Sequence, residues 1–205
     1  MRALDSLVGQ VHADGARPQY LNDEVELRVG DVRDANAVRA ALDDVDSVVH
    51  LAARVGVGQS MYELAEYTSA NSLGTAVLLQ AVAERPVRKL VVASSMSVYG
   101  EGLYVDSDGH MVEPPERTRE QLAAHQWDYA GLTPVATPER KRPGLASIYA
   151  LNKYEQERAC LIAGPAYGVP TVALRLFNTY GPRQALSNPY TGVLAIFASR
   201  LLNDS

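Results

Sequence analysis

"KLVVASSMSVYG", residues 89–100, opens as an apolar run and closes on hydroxyls, a tyrosine and a glycine. An apolar run without alternation is what a parallel strand covered on both faces requires, so residues 89–95 predict a central strand. "DSVVHLAA" (46–53) reads the same way. Between the two, residues 60–84 predict one long helix, with Leu73, Val77, Leu78 and Ala81 on a single face. Upstream, "RALDSL" (2–7) predicts a strand, followed by the turn-rich "ADGARPQ". "VELRVGD" (25–31) alternates Val25, Leu27 and Val29 with charged residues, as a half-exposed edge strand does. Asp34 is placed to cap a short helix, "ANAVRAAL". Downstream, a helix around "SIYALNKYEQERA" (147–159) precedes a strand, "PTVALRLF" (170–177). A final helical pattern runs through "YTGVLAIFASRLL" (190–202). Strand–helix–strand alternation predicts a doubly wound α/β parallel sheet with right-handed crossovers.

The 205 residues are 47% hydrophobic and 21% charged, which suits one sizeable globular domain. A formal charge of −5 gives no support for nucleic acid or an anionic membrane as partner. One cysteine, Cys160, excludes an internal disulfide and fits a reducing cytosol. The opening "MRALDSLVGQ" lacks a long apolar core, so no signal peptide is expected, and "GVLAIFA" is too short to span a bilayer. A cytoplasmic protein is the expectation.

Residues 101–144 break the rhythm. They are rich in proline, glycine and charge and show no clear period, which predicts an insertion with local structure or a mobile flap. Within it Asp106, Asp108 and His110 carry ligand atoms, but a solvated turn is the expected reading and no metal is predicted.

Tyr149 and Lys153 stand four apart in the predicted helix, one turn, so both leave the same face. An ammonium beside a phenol favours the phenolate and lowers its pKa, which would make the tyrosine useful in proton transfer. Alone, the pair is weak evidence, and surface residues of a polar helix are the more ordinary reading.

Taken together, "VVASSMSVYG", "YALNK" and "LRLFNTYGPRQ" resemble the extended short-chain dehydrogenase/reductase family, and within it the NAD-dependent nucleotide-sugar epimerases and dehydratases. "GDVRD" (30–34), "VVHLAA" (48–53) and "YTSANSLGT" (67–75) add to the likeness, in the family's order. "VGVGQSMYE" (55–63), "RQALSNPYTGV" (183–193) and the insertion are most similar to the dTDP-L-rhamnose 4-epimerase-like branch, with UDP-glucose 4-epimerase-like members as the rival. The resemblance implies NAD as cofactor, a dTDP- or UDP-sugar as substrate, and a homodimer as a common state. It implies Tyr149 as the base that takes a sugar hydroxyl proton, Lys153 as its electrostatic support and the holder of the nicotinamide ribose, and Ser95 as hydrogen-bond partner of the reacting oxygen. Asp5 matches the acid on the adenosine ribose, Asp31 and Val32 the pair beside adenine, and Leu51, Ala52 and Ala53 the turn beneath the pyrophosphate. Asn71 matches a residue steadying the backbone near the nicotinamide, although a purely structural asparagine reads equally well. Phe177 falls among the cofactor contacts, and Ser97 and Asn178 among the substrate contacts. Where dehydratases of the family carry acidic residues after the catalytic hydroxyl, this sequence has Met96 and Ser97, which favours epimerisation at C4 through a transient 4-keto sugar. Cysteine pairs that some branch members carry in the insertion are not present here, so no zinc is expected.

The family's opening strand and Gly-x-x-Gly-x-x-Gly turn have no match in this sequence. The expectation is therefore a partial NAD-binding domain over residues 1–182, starting at the family's second strand and interrupted by the 101–144 insertion, with 183–205 beginning the substrate-binding region. The missing strand would lie between those of Asp5 and His50. Either these strands close up or the N-terminal part is loosely attached, and NAD binding should be weak. Two other readings stay open: a sugar-nucleotide dehydratase or reductase, and a catalytically silent fragment that acts only through protein contacts.

Overall fold

The computed structural model describes residues 1–12, 15–184 and 193–202. Along the chain the elements are β1 (Arg2–Asp5), β2 (Glu26–Val29), α1 (Ala35–Ala41), β3 (Ser47–His50), α2 (Leu64–Thr68), α3 (Gly74–Glu84), β4 (Lys89–Ser95), β5 (Leu103–Val105), β6 (Met111–Val112), α4 (Arg119–Ala123), β7 (Thr133–Val135), α5 (Ile148–Ala166), β8 (Thr171–Leu176) and α6 (Val193–Leu202). β1 pairs with β2, while β4 lies between β3 and β8, and every one of these pairings is parallel. The result is a Rossmann-like doubly wound fold in two sheet pieces. The part of "RQALSNPYTGV" from 185 to 192 lies outside the described residues.

The two pieces neither close up nor come apart. A cleft of about 1180 Å³ separates them, lined on one side by β1 and on the other by β3. α1 bridges the gap. Asp34 caps it by accepting from the amides of Asn36 and Ala37, as predicted. Its Val38 is fully buried and joins Leu42, Leu78, Leu79, Val82, Leu90 and Val92 in one apolar cluster. On the other side, the Arg2 guanidinium bonds the Ala41 carbonyl at 3.1 Å and Glu26 at 2.8 Å. The N-terminal pair is thus held by helix packing rather than by sheet hydrogen bonds. Hydrogen exchange should show β1 and β2 amides exchanging well ahead of the Leu90–Ser94 amides of the central strand, and equal protection would mean that the two pieces open as one unit.

Three expectations need correction. β3 is not covered on both faces: Val49 is 62% exposed, because β3 pairs only with β4 and its other edge faces the cleft. Residues 60–84 are not one regular helix. A π turn at Ser69–Leu73 separates α2 from α3, and its extra residue rotates the following surface, leaving Leu73 53% exposed while Leu78 and Ala81 stay buried. Val29 does not share the inward face of Val25 and is exposed at the end of β2. Gly74, first residue of α3, permits close approach: a Cβ there would stand 2.5 Å from Val32 Cγ1.

The insertion has structure of its own, an antiparallel sheet in the order β6–β5–β7. α4 starts with a capping box, in which the Thr118 hydroxyl accepts from the Gln121 amide and the Gln121 side chain accepts from the Thr118 amide. Arg117 bonds the Trp127 carbonyl at 2.7 Å and lies over the Tyr129 ring. Asp106, Asp108 and His110 are clustered, with ligand atoms within 4.8 Å of one another. The Asp106 carboxylate accepts from the Asp108 and His110 amides, which makes it the organiser of the β5–β6 turn.

Candidate active site

Two adjacent elements build the site. β4 carries serines at its last two positions because its apolar run ends there. α5 begins where the Ser147 hydroxyl accepts from the Ala150 amide at 3.1 Å. The amide of Tyr149, in the first turn, donates to the Ser60 hydroxyl at 3.0 Å. Parallel pairing of Ser95 with Leu176 sets the strand ends level, so Ser95 meets the first turn of α5. Its hydroxyl accepts from the Ser97 amide at 3.1 Å and stands near enough to the Tyr149 phenol to act on its pKa. Ser95, Tyr149 and Lys153 are all buried.

The expected electrostatics of the pair are reversed. Burial pushes the Tyr149 phenol above its usual range, and the Ser95 hydroxyl opposes that shift. Lys153 does not bring it down, because its ammonium turns the other way and donates to Gln156 Oε1 at 2.8 Å. The same burial pulls the Lys153 amine down to about 8. Gln156 is itself held, its amide nitrogen lying 2.7 Å from Thr75 Oγ1, 3.2 Å from His50 Nε2 and 3.4 Å from the Ala52 carbonyl. His50 Nε2 is 2.9 Å from Thr75 Oγ1, and the Thr75 hydroxyl donates to the Asn71 carbonyl at 2.7 Å. Burial, and secondarily the Lys153 charge, pulls His50 down to about 4, so the ring is neutral near pH 7.

Asp5, Asp31, Val32, Leu51, Ala52 and Ala53 all line the cleft between the sheet pieces. Asp5 Oδ1 accepts from the Leu7 amide at 2.8 Å, which leaves its second oxygen for a ligand hydroxyl. Asp31 is clamped by Arg33, whose guanidinium holds the carboxyl below its usual range. The buried Asn71 side chain accepts from the Arg54 amide at 2.7 Å and donates to the Arg54 carbonyl at 3.1 Å, fixing the backbone just past Ala53. Ser95, Tyr149 and Lys153 are not in the cleft lining. They lie beyond Ala52, linked to it through Gln156. Phe177 and Asn178 follow β8; Phe177 packs beside the Tyr99 ring at 6.5 Å, and both are exposed and outside the cleft.

Dinucleotide-binding chemistry asks for acceptors at the ribose hydroxyls and donors at the diphosphate. Asp5, a carboxylate in the cleft lining, is an acceptor of that kind, whereas Lys153 carries donors only. The segment after β1 is a turn, with the Val11 and His12 amides donating to the Val8 carbonyl, and among the described residues no helix N-terminus lies between β1 and β2. Sequence reasoning missed Gln156 as the partner of the lysine, and Thr75 and His50 as the groups that hold Gln156. One signal was present: Gln156 stands three residues after Lys153, on the same helix face.

The sequence profile of the NAD dependent epimerase/dehydratase family matches residues 3–205. Among curated proteins, a dTDP-L-rhamnose 4-epimerase of Burkholderia thailandensis is 40% identical over 98% of this chain and 56% of its own length. A UDP-N-acetyl-alpha-D-glucosaminuronate decarboxylase of Bacillus cytotoxicus is 31% identical over 81% of this chain and 43% of its own. Among solved structures, the UDP-N-acetylglucosamine 4-epimerase of Methanobrevibacter ruminantium in complex with UDP-N-acetylmuramic acid superposes with a TM-score of 0.74 at 26% identity, over 100% of this chain and 55% of its own. The Thermus thermophilus UDP-glucose 4-epimerase complex with NAD gives 0.70 at 28%, over 100% and 63%. The chain spans about half the length of the curated relatives it matches.

Proposed function

The chain belongs to the NAD dependent epimerase/dehydratase family, and from that premise we propose that it is the NAD-binding and catalytic part of a nucleotide-sugar 4-epimerase. The meeting of the Ser95 hydroxyl, the Tyr149 phenol and the Lys153 turn of α5 at the end of β4 carries this reading. The likeness to a dTDP-L-rhamnose 4-epimerase and to structures holding UDP-sugars or NAD supports it. In this reading residues 1–182 hold the dinucleotide, 183–205 begin the substrate region, and the protein works in the cytoplasm, as a homodimer. Among the described residues no helix is long and apolar enough to cross a membrane.

Bound NAD would supply a hydride acceptor and positive charge, with Asp5 and Lys153 as residues that would hold it. Asp5 takes the ribose hydroxyls at one end, and residues 51–53 allow close backbone approach, Ala52 and Ala53 by their small side chains. Tyr149 removes the proton from the sugar hydroxyl, and Ser95 hydrogen-bonds that oxygen and the phenol together. The raised phenol pKa means that the proton leaves only once positive charge gathers at the site, so Lys153 must exchange Gln156 for the ribose and phenol side. Elimination of water has no acid or base to serve it at Met96 and Ser97, which sets dehydration aside.

The test is turnover of dTDP- and UDP-sugars with added NAD by the whole chain and by Tyr149→Phe. Loss of a general base lowers kcat/KM by about a hundredfold or more. Equal background rates in both proteins would retire the enzyme reading in favour of a role through protein contacts.

A further inference from the structure

Lys153 is 3% exposed, and its only partner among the described residues is a neutral carboxamide. The carboxamide cannot turn over. Its nitrogen faces the Thr75 hydroxyl oxygen and the Ala52 carbonyl, and a flip would set that nitrogen against the Lys153 ammonium, donor against donor. Thr75 in turn gives its hydrogen to the Asn71 carbonyl, so the oxygen it shows to Gln156 is an acceptor. The chain of bonds runs from the Asn71 turn through Thr75 and Gln156 to Lys153, and every side chain in it is buried.

We infer that Gln156 is the positioning residue for Lys153: a locked carboxamide that holds the ammonium away from the phenol until a ribose hydroxyl replaces it. This deepens the reading of Lys153 given above and rests on it. The neutrality of Gln156 is the functional point. The titratable groups that interact with the amine are Cys160 on α5 and His50 from β3. Glu157, the nearest carboxylate on the same helix, is consumed by Arg175 and Ser94. A carboxylate at position 156 would clamp the ammonium by full charge, whereas a carboxamide directs it and lets it go.

The chain has three lysines, Lys89, Lys141 and Lys153, so side-chain-labelled lysine resonances can be followed one by one through a pH titration, with Lys153→Met supplying the assignment. The wild-type Lys153 midpoint is expected near 8. In Gln156→Glu, an acid of the same shape, it should rise by about one unit or more, and in Gln156→Leu it should fall below the wild-type value. The circular dichroism should stay put, which reports an intact fold. A Lys153 midpoint that is the same in all three proteins would overturn the inference. The measurement needs no turnover, so a silent chain leaves it valid. In a chain that turns over, Gln156→Glu should raise the KM for NAD, because its lysine no longer exchanges partners. An unchanged KM alongside a shifted midpoint would remove the release step and with it the inference as stated.

Discussion

Glu157→Ala is expected to cost about 3–5 kcal/mol of folding stability, the range for leaving one partner of a buried ion pair uncompensated. The Glu157 carboxylate is buried and forms a two-pronged pair with Arg175, Oε2 to Nε at 2.9 Å and Oε1 to Nη2 at 2.8 Å. The Ser94 hydroxyl donates to the same Oε2 at 2.7 Å. Burial alone would raise this carboxyl's pKa, but the Arg175 and Ser94 hydrogen bonds outweigh it and the net shift is downward. Three elements meet at the pair, because Glu157 comes from α5, Ser94 from β4 and Arg175 from β8. Arg175 also bonds the Glu139 carbonyl at 2.9 Å and lies 4.9 Å over the Tyr99 ring, tying in the end of the insertion. Removal of the carboxylate leaves a mostly buried guanidinium with only the Glu139 carbonyl and the Tyr99 ring against it. Urea unfolding of Glu157→Ala, Arg175→Met and Glu157→Leu/Arg175→Met measures the effect. The double variant should recover much of the loss, since an apolar pair avoids the desolvation of both charges. A single-variant loss below about 1 kcal/mol, the range of an exposed pair, would show that water reaches this site freely.

The same neighbourhood shows how far a sequence can be read. The span of β4, the Asp34 cap, the helix under Tyr149 and the strand after it were legible because each is written locally, in an apolar run, a capping residue or a period. The family likeness was legible because its motifs keep their order. Partner choice was not legible. Lys153 has Tyr149 one turn behind it and Gln156 one turn ahead. The choice between them is made by Thr75 and Ala52, which are remote in sequence and lock the carboxamide. The direction of the Tyr149 shift was misread for the same reason: spacing reports proximity along a helix, whereas desolvation reports the whole surround. The π turn that rotates Leu73 outward adds one residue to a helical period and leaves no compositional mark. The insertion reads as irregular because its strands are two or three residues long, shorter than a period can show.

Stability should also fall as pH drops from 7.5 to 5, and His50 should account for most of that fall. His50 is neutral in the fold with a pKa of about 4, while in the unfolded chain it returns to about 6.5. Below about 6.5 the unfolded chain takes up a proton that the folded one refuses. Stability is therefore complete above that value and declines until pH falls through about 4. Linkage converts the gap to roughly 2 kcal/mol by pH 5 and roughly 3 kcal/mol in all. The depressed carboxyls, Asp31 and Glu157 among them, lose their contribution only below about pH 4.5, so the window from 6.5 to 5 separates them from the histidine. His50→Gln removes the titrating ring and keeps a polar group beside Thr75. Its stability should start lower at pH 7.5 and then stay nearly flat to pH 5. A wild-type profile as flat as the variant's would mean that water or a carboxylate reaches the imidazole. In that case the Thr75–Gln156–Lys153 chain would not be the sealed network that sets the lysine's direction.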